Sequence, residues 1–445
     1  MGNIYNYSSA ALLEIRQSVS RHPYLLLILI VLLTIPMPYA VNSIGFAIFV
    51  FYAVVTFKKA FFQFNWPLFF PVLLYVLMLF SLFWTIDSHE TIKALSKELP
   101  LLLIPLIFML FPAFSHTQRR FVLKYYSWGI TFYSVFYLLQ ALFRYASGGD
   151  TTVFFYHELV TKDVNAIHVS VYVAVAFFWF FTKSARNIYD IIALVILLGM
   201  VFLLSSKNII IVFISLMALH QLFYTKTSKR LRLKNLVLLV IFLVSLTFVG
   251  KIRDRFKEEY ETMMTDSSVN DVIFKPEDKV YNVSIKQAWT NETFRPNDYF
   301  PGTAFRVYQF RIFTEMLAQD NIFWQGYGLN ASYSKIEQKT TQYNLFLGNA
   351  EQEGYQKKNF HNQYIQNFAE LGIFGFLLLF VMLVINLKNG IKSKDFVHIA
   401  FAVLMISLFL TESFLWRQRG VMFFTVLYCL FNARPYILPE KENKI

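Results

Sequence analysis

The sequence predicts an all-α, polytopic integral membrane protein of about twelve transmembrane helices carrying one large exported loop. Three observations predict it. Hydrophobic residues make up 56% of the 445 and charged residues only 16%, where a soluble chain carries roughly a quarter charged. Apolar stretches of about 17 to 25 residues, long enough to cross a bilayer core, recur along nearly the whole chain. Basic residues collect in alternate short loops, as multi-pass topology requires.

The spans fall at 24–40, 42–57, 67–85, 99–114, 121–143, 166–182, 188–204, 208–224, 233–250, 367–387, 395–411 and 418–433. The second, fourth and eighth also admit a re-entrant reading. Because the run from Leu25 to Ala40 is the first of many such segments, a cleaved signal peptide is not expected. Three regions result: an N-terminal bundle over 1–250, a hydrophilic loop over 251–362, and C-terminal helices with a short tail over 363–445.

The net charge of +13 suggests nucleic acid until its distribution is read. Arg16 and Arg21, Lys58 and Lys59, Arg119 and Arg120, Lys183 and Arg186, the 226–234 cluster, Lys388 to Lys394 and Arg434 lie in alternate loops. The intervening loops carry Asp87, Glu90, Asp150, Glu158 and Asp163. The positive-inside rule then places both termini in the cytoplasm and the long loop in the periplasm. The excess charge sets topology and meets anionic membrane lipid; no nucleic-acid partner is expected. Cys429 is the only cysteine, so the exported loop has no disulfide. No zinc-spaced cluster or glycine-rich phosphate loop occurs, and neither metal nor cofactor is expected.

A polar loop of this length implies a function. Its charges roughly balance, and Pro276, Pro296, Pro301 and Gly302 punctuate it, the pattern of an ordered lid. Thr303 to Ala318 has helical spacing, with Phe305, Tyr308, Phe313, Met316 and Leu317 apolar and Arg306 and Arg311 polar.

Chemistry concentrates where polar segments meet spans. His361 stands at the mouth of one and suits a general base for a hydroxyl. Glu370 follows nine positions later, ~13 Å away on a continuous helix, too far to orient the imidazole directly. The alternative is an interfacial histidine and a packed glutamate, although burying a carboxylate in a membrane is costly. Arg306 and Arg311 suit phosphate through the planar guanidinium, or else face solvent. Lys207 between two spans, and Arg417 and Arg419 before the last, are cations on the exported side against the positive-inside rule. Together they suggest an anion site; snorkelling is the plainer reading of Lys207. The stretch His157 to Ala166 opens a further exported loop and is a weaker candidate for an acceptor or lipid groove.

Several of these pieces resemble one family, the O-antigen ligase and polymerase superfamily. His361-Asn362-Gln363-Tyr364 through Glu370-Leu371-Gly372-Ile373-Phe374-Gly375 is similar to its C-terminal pattern H-N-x-Y-(x)5-E-x-G-x-x-G, with Asn362, Tyr364 and Glu370 as supporting positions. Ser81-Leu82-Phe83-Trp84-Thr85-Ile86-Asp87 resembles its S-x-x-W-S-x-D element. Ser205-Ser206-Lys207 stands where S-x-S-R is usual, and Arg306 to Phe310 followed by Gly326-Tyr327-Gly328 resembles R-x-x-x-W and G-x-G. The resemblance implies a GT-C-type glycosyltransferase working at the outer face of the bacterial inner membrane. It would move a glycan from undecaprenyl diphosphate to an acceptor hydroxyl on a glycolipid (lipid A-core) or glycan, without nucleotide or metal. It implies diphosphate binding by Arg306, with Lys207 at the position of the family's arginine, and activation of the acceptor by His361. Arg311, Arg417 and Arg419 are additions from topology. Lysine for arginine loses the bidentate fork.

A polymerase of the same superfamily shares the donor and differs in acceptor; the ligase is the reading favoured here. Transfer to a protein hydroxyl is a third variant. A flippase would explain the spans and cations, but its expected paired interrupted helices and internal symmetry are not seen in the sequence.

Overall fold

Helix boundaries follow the caps and breakers written into the chain. The computed structural model describes residues 2–58, 62–112, 114–161, 164–204, 206–225, 257, 260–270, 279–349 and 352–433, with side chains from residue 12. The N-terminal region runs α1 (Gly2–Arg21), α2 (Tyr24–Leu33), α3 (Tyr39–Val55), α4 (Trp66–Phe80), α5 (Ser88–Glu98), α6 (Pro100–Leu110) and α7 (His116–Ala146). After a short α8 (Tyr156–Leu159) come α9 (Ala166–Phe181), α10 (Ile188–Leu203) and α11 (Lys207–Leu219).

The expected span at 24–40 is corrected. Pro36 and Pro38 end the run, and α2 is a 10-residue helix, about 15 Å long. The expected 99–114 becomes α6, led in by the polar helix α5, which Asp87 caps by accepting from the Glu90 amide. Helix α7 runs 31 residues from a Ser115–Gln118 capping box. The span expected at 233–250 lies outside the described residues. Three described helices are long and apolar enough to cross a membrane: Trp66–Phe83, Lys207–Tyr224 and Gln363–Ser393. Shorter apolar helices include α2, α3, α9 and α10.

The long loop folds upon its own core. A three-stranded sheet pairs β1 (Ser268–Val269) antiparallel to β2 (Tyr281–Asn282), and β2 parallel to β3 (Asp298–Tyr299). The loop also carries helices α12 (Ile285–Thr290), α13 (Gly302–Gln319) and α14 (Tyr333–Gln342), with α13 packed against the other two. Phe294, Phe300, Tyr308, Ile312, Ile336 and Phe360 form a cluster separate from the bundle's core. A helix does cover 303–318; α13 buries Phe305, Tyr308, Phe313 and Met316, and with them Gln309, while Phe310 is exposed.

The chain then returns through α15 (Gln363–Ser393), α16 (Phe396–Leu408) and α17 (Gln418–Asn432). Helices α9 and α17 are buried along nearly their whole length, so they form the centre of the bundle. Phe177, Phe178 and Phe213 interlock there, as do Phe401, Phe423 and Phe424, whereas Phe132, Phe136 and Phe143 face outward. These phenylalanines pack between helices or lie on the outer surface.

Candidate active site

Helix α15 is broken at Gly372, whose φ of 64° and ψ of −161° are open to glycine alone. The interrupted backbone groups bond to the loop. Tyr327 and Gly328 amides donate to the Ala369 and Glu370 carbonyls at 2.9 Å, and the Ile373 amide donates to Phe323 O at 2.8 Å. A Cβ on Gly372 would lie 2.2 Å from Trp324 O, which explains the residue. The Trp84 indole donates to Gln325 O at 2.8 Å and the Ile86 amide to Tyr327 O at 3.0 Å. The segment at 325–328 therefore bonds on one side to 84–86 and on the other to 369–370, joining three stretches that resembled family motifs. Glu370 is buried in this joint, accepting from Ser332 Oγ at 3.0 Å and Gln366 Nε2 at 2.5 Å.

The start of α15 performs a second task, fixing the turn between α16 and α17. Asn362 caps the helix through the Tyr364 and Ile365 amides and donates to Leu410 O at 3.2 Å. The Tyr364 hydroxyl donates to Ile406 O at 3.0 Å, and Gln363 Oε1 accepts from the Leu415 amide at 2.7 Å. This bracing sets Glu412 opposite His361. Glu412 is 7% exposed. Its Oε2 lies 3.6 Å from His361 Nδ1, and its Oε1 lies 3.2 Å from Arg306 Nη2. Burial pushes the Glu412 carboxyl up, but His361, then Arg306 and His168, outweigh it and hold it below the ordinary carboxylate range. His361 itself precedes the helix with a left-handed φ of 47° and packs its ring against Phe305. It does not share a continuous helix with Glu370.

Arg306 is held tightly. Its Nε and Nη2 donate to Thr411 O at 3.0 and 2.8 Å, and its Nη1 donates to Gly302 O at 2.9 Å. Asn208 in turn holds Thr411 Oγ1 at 2.8 Å and Ser407 O at 2.8 Å. A bidentate grip on phosphate through the Nε–Nη2 edge would have to displace Thr411 and Glu412. Arg306 is therefore a fixed charge more than an open fork.

Two cavities flank Arg306. One of about 810 Å³ is lined by Lys207, Asn208, Arg306 and Thr411 on the bundle side. The other, of about 520 Å³, is lined by Arg306, Lys358, His361, Glu412 and Arg417, and by His157 and Asn165 from the segment before α9. They share Tyr156, Ile167, Tyr299, Gly302 and Arg306. Arg417 is exposed.

Of the residues expected from sequence, the structure brings together Lys207, Arg306, His361 and Arg417. It does not bring Arg311 or Arg419. Arg311 lies within the loop, bonded to Glu315, Asn291 O and the Tyr343 hydroxyl. Arg419 is buried in the bundle, donating to Ile35 O and Met37 O with its guanidinium 4.1 Å from the Tyr39 ring centre. Both are structural cations because their donors are taken by neighbouring carbonyls and rings. Glu370 lines neither cavity. Glu412 was missed, and its signal was an acid directly after an apolar span and close to Arg417.

Fold and site together define a helical integral membrane protein with a cationic cleft beneath an ordered polar loop. Residues 192–380 match the family model described as O-antigen ligase, which supports the resemblance to the O-antigen ligase/polymerase superfamily. The matched range includes Lys207, Arg306, His361 and Glu370 and stops short of Glu412 and Arg417. No curated protein matches the chain.

Proposed function

We propose that the protein is an O-antigen ligase-like glycosyltransferase of GT-C type. It moves a glycan from undecaprenyl diphosphate to an acceptor hydroxyl on lipid A-core or a similar glycolipid, at the periplasmic face of the inner membrane. The observation that carries the reading is the meeting of Lys207, Arg306, Arg417 and the His361–Glu412 pair around two adjoining cavities. The donor diphosphate occupies the Lys207 side and the acceptor the His361 side, with Arg306 between them. The acceptor oxygen bonds to the anomeric carbon as the bond from that carbon to the diphosphate oxygen breaks. The hydroxyl proton passes to His361, whose developing charge Glu412 offsets, and the electron pair leaves with polyprenyl diphosphate. Fixed cations holding the leaving group supply the main stabilisation, without nucleotide or metal.

The test is the surface glycan of a deletion strain, complemented with wild type, His361→Ala or Arg306→Ala. Core devoid of glycan, with full-length polymer retained on the lipid carrier, identifies a ligase. Core bearing one repeat unit and no ladder identifies a polymerase instead. An unchanged profile in the deletion strain, or full rescue by both variants, overturns the reading.

A further inference from the structure

The larger cavity has two chemically different walls. Its cationic side carries Lys207 from the bundle and Arg306, which reaches over from α13 of the loop to Thr411 O. Its other wall is the small sheet and the segment before it, where every described lining side chain is uncharged, among them Tyr260, Thr262, Asn270, Asn282 and Tyr299. The two amides are buried and oriented. Asn270 Nδ2 donates to Asn282 Oδ1 at 2.9 Å, and Asn282 Nδ2 donates to Ser268 Oγ at 3.2 Å, across the β1–β2 pair. The two rings stay open, Tyr260 at 64% and Tyr299 at 38% exposure.

Fixed amides beside accessible ring faces suit a ligand rich in hydroxyls. An amide offers donors and an acceptor to neighbouring hydroxyls. A ring face offers an apolar surface to the C–H side of a pyranose. The volume of about 810 Å³ falls within the ~300–1,000 Å³ of small-ligand sites. A phosphate drawn to the opposite wall would direct whatever it carries toward this sheet.

We propose that the sheet wall is a glycan subsite: the donor sugars nearest the diphosphate lie across β1–β3 against Tyr260, Asn270 and Asn282. The inference rests on the donor reading above and adds the surface that recognises the sugar. It also gives the loop a role as sugar reader besides cover.

The test uses the full chain in lipid nanodiscs with two probes, undecaprenyl diphosphate and the undecaprenyl-diphosphate-linked glycan extracted from the deletion strain. Tyr260 is exposed, so Tyr260→Ala leaves the loop core intact, and Tyr260→Phe keeps the ring. Expected are a loss of affinity on the order of tenfold for the glycan-linked probe with Tyr260→Ala, near-wild-type binding with Tyr260→Phe, and unchanged binding of the bare lipid by both. Equal loss for both probes, or no loss for either, overturns the subsite while leaving the diphosphate site standing. Wild-type protein that binds neither probe overturns the donor reading and the subsite with it.

Discussion

Removing the Glu412 charge tests the centre of the site. Its Oε1 is 3.2 Å from Arg306 Nη2, and at an effective dielectric of ~20 two unit charges at that distance attract by about 5 kcal/mol before desolvation. Truncating one member of a buried pair costs about 3–5 kcal/mol. The Arg306 side chain keeps 30% of its surface in solvent, which screens it, so Glu412→Gln is expected to destabilise by about 2–3 kcal/mol. Arg306→Met removes the cation, and the double variant then lacks the uncompensated charge. Thermal unfolding of the four proteins in one detergent should show coupling of about 1–2 kcal/mol, the double falling short of the sum. Glycan transfer by Glu412→Gln should drop by roughly a hundredfold or more, the loss typical of an impaired base. Single-variant costs that add to within ~0.5 kcal/mol, with transfer at wild-type rate, would refute the view that Glu412 binds the two residues into one unit.

Gly372→Ala should cost about 3 kcal/mol or more, combining a forbidden backbone region with a Cβ driven into Trp324 O; faster proteolysis near Gln325 is the readout. Arg419→Met should lower thermal stability by about 1–3 kcal/mol, because its donors satisfy buried carbonyls, while leaving the donor KM unchanged. Asn208→Ala should reduce transfer without loss of expression, since it frees Thr411, which holds Arg306. The loop should show acid lability measured by Trp289 fluorescence. Burial raises the Glu315 carboxyl, but Lys339, Tyr343 and Arg311 outweigh it and hold it below its ordinary 4.5. A depressed folded value means that this stability is present above about pH 4.5 and lost as pH falls through the folded value. A flat midpoint from pH 8 to 5 with a fall below 4 is expected; a midpoint unchanged down to pH 3 contradicts it.

Many of the helices were legible because hydrophobic runs act over short range. The helix over 303–318 could be read from spacing alone, and so could the starts of α9 and α10, where asparagines cap the chain. What escaped was set by contacts distant in sequence. Whether Arg311 and Arg419 were open to a ligand depended on which carbonyls lay nearby, and those belong to Asn291, Ile35 and Met37. Glu412 gained its meaning from His361 and from Arg306, the latter 106 positions earlier. Gly372 could be noticed as a motif residue, but a helix broken to accept a loop requires both partners to be seen.

That broken helix also governs how the protein is made. Trp84 is synthesised 241 residues before the carbonyl it bonds. At about 5–20 residues per second the interval is roughly ten to fifty seconds. Throughout it, the Trp84 indole and the Ile86 amide lack the partners they take in the folded protein. The joint closes only once Ile373 has been added, so every truncated product ending earlier carries an unfinished seam between loop and bundle. Such fragments are suited to recognition by membrane quality control.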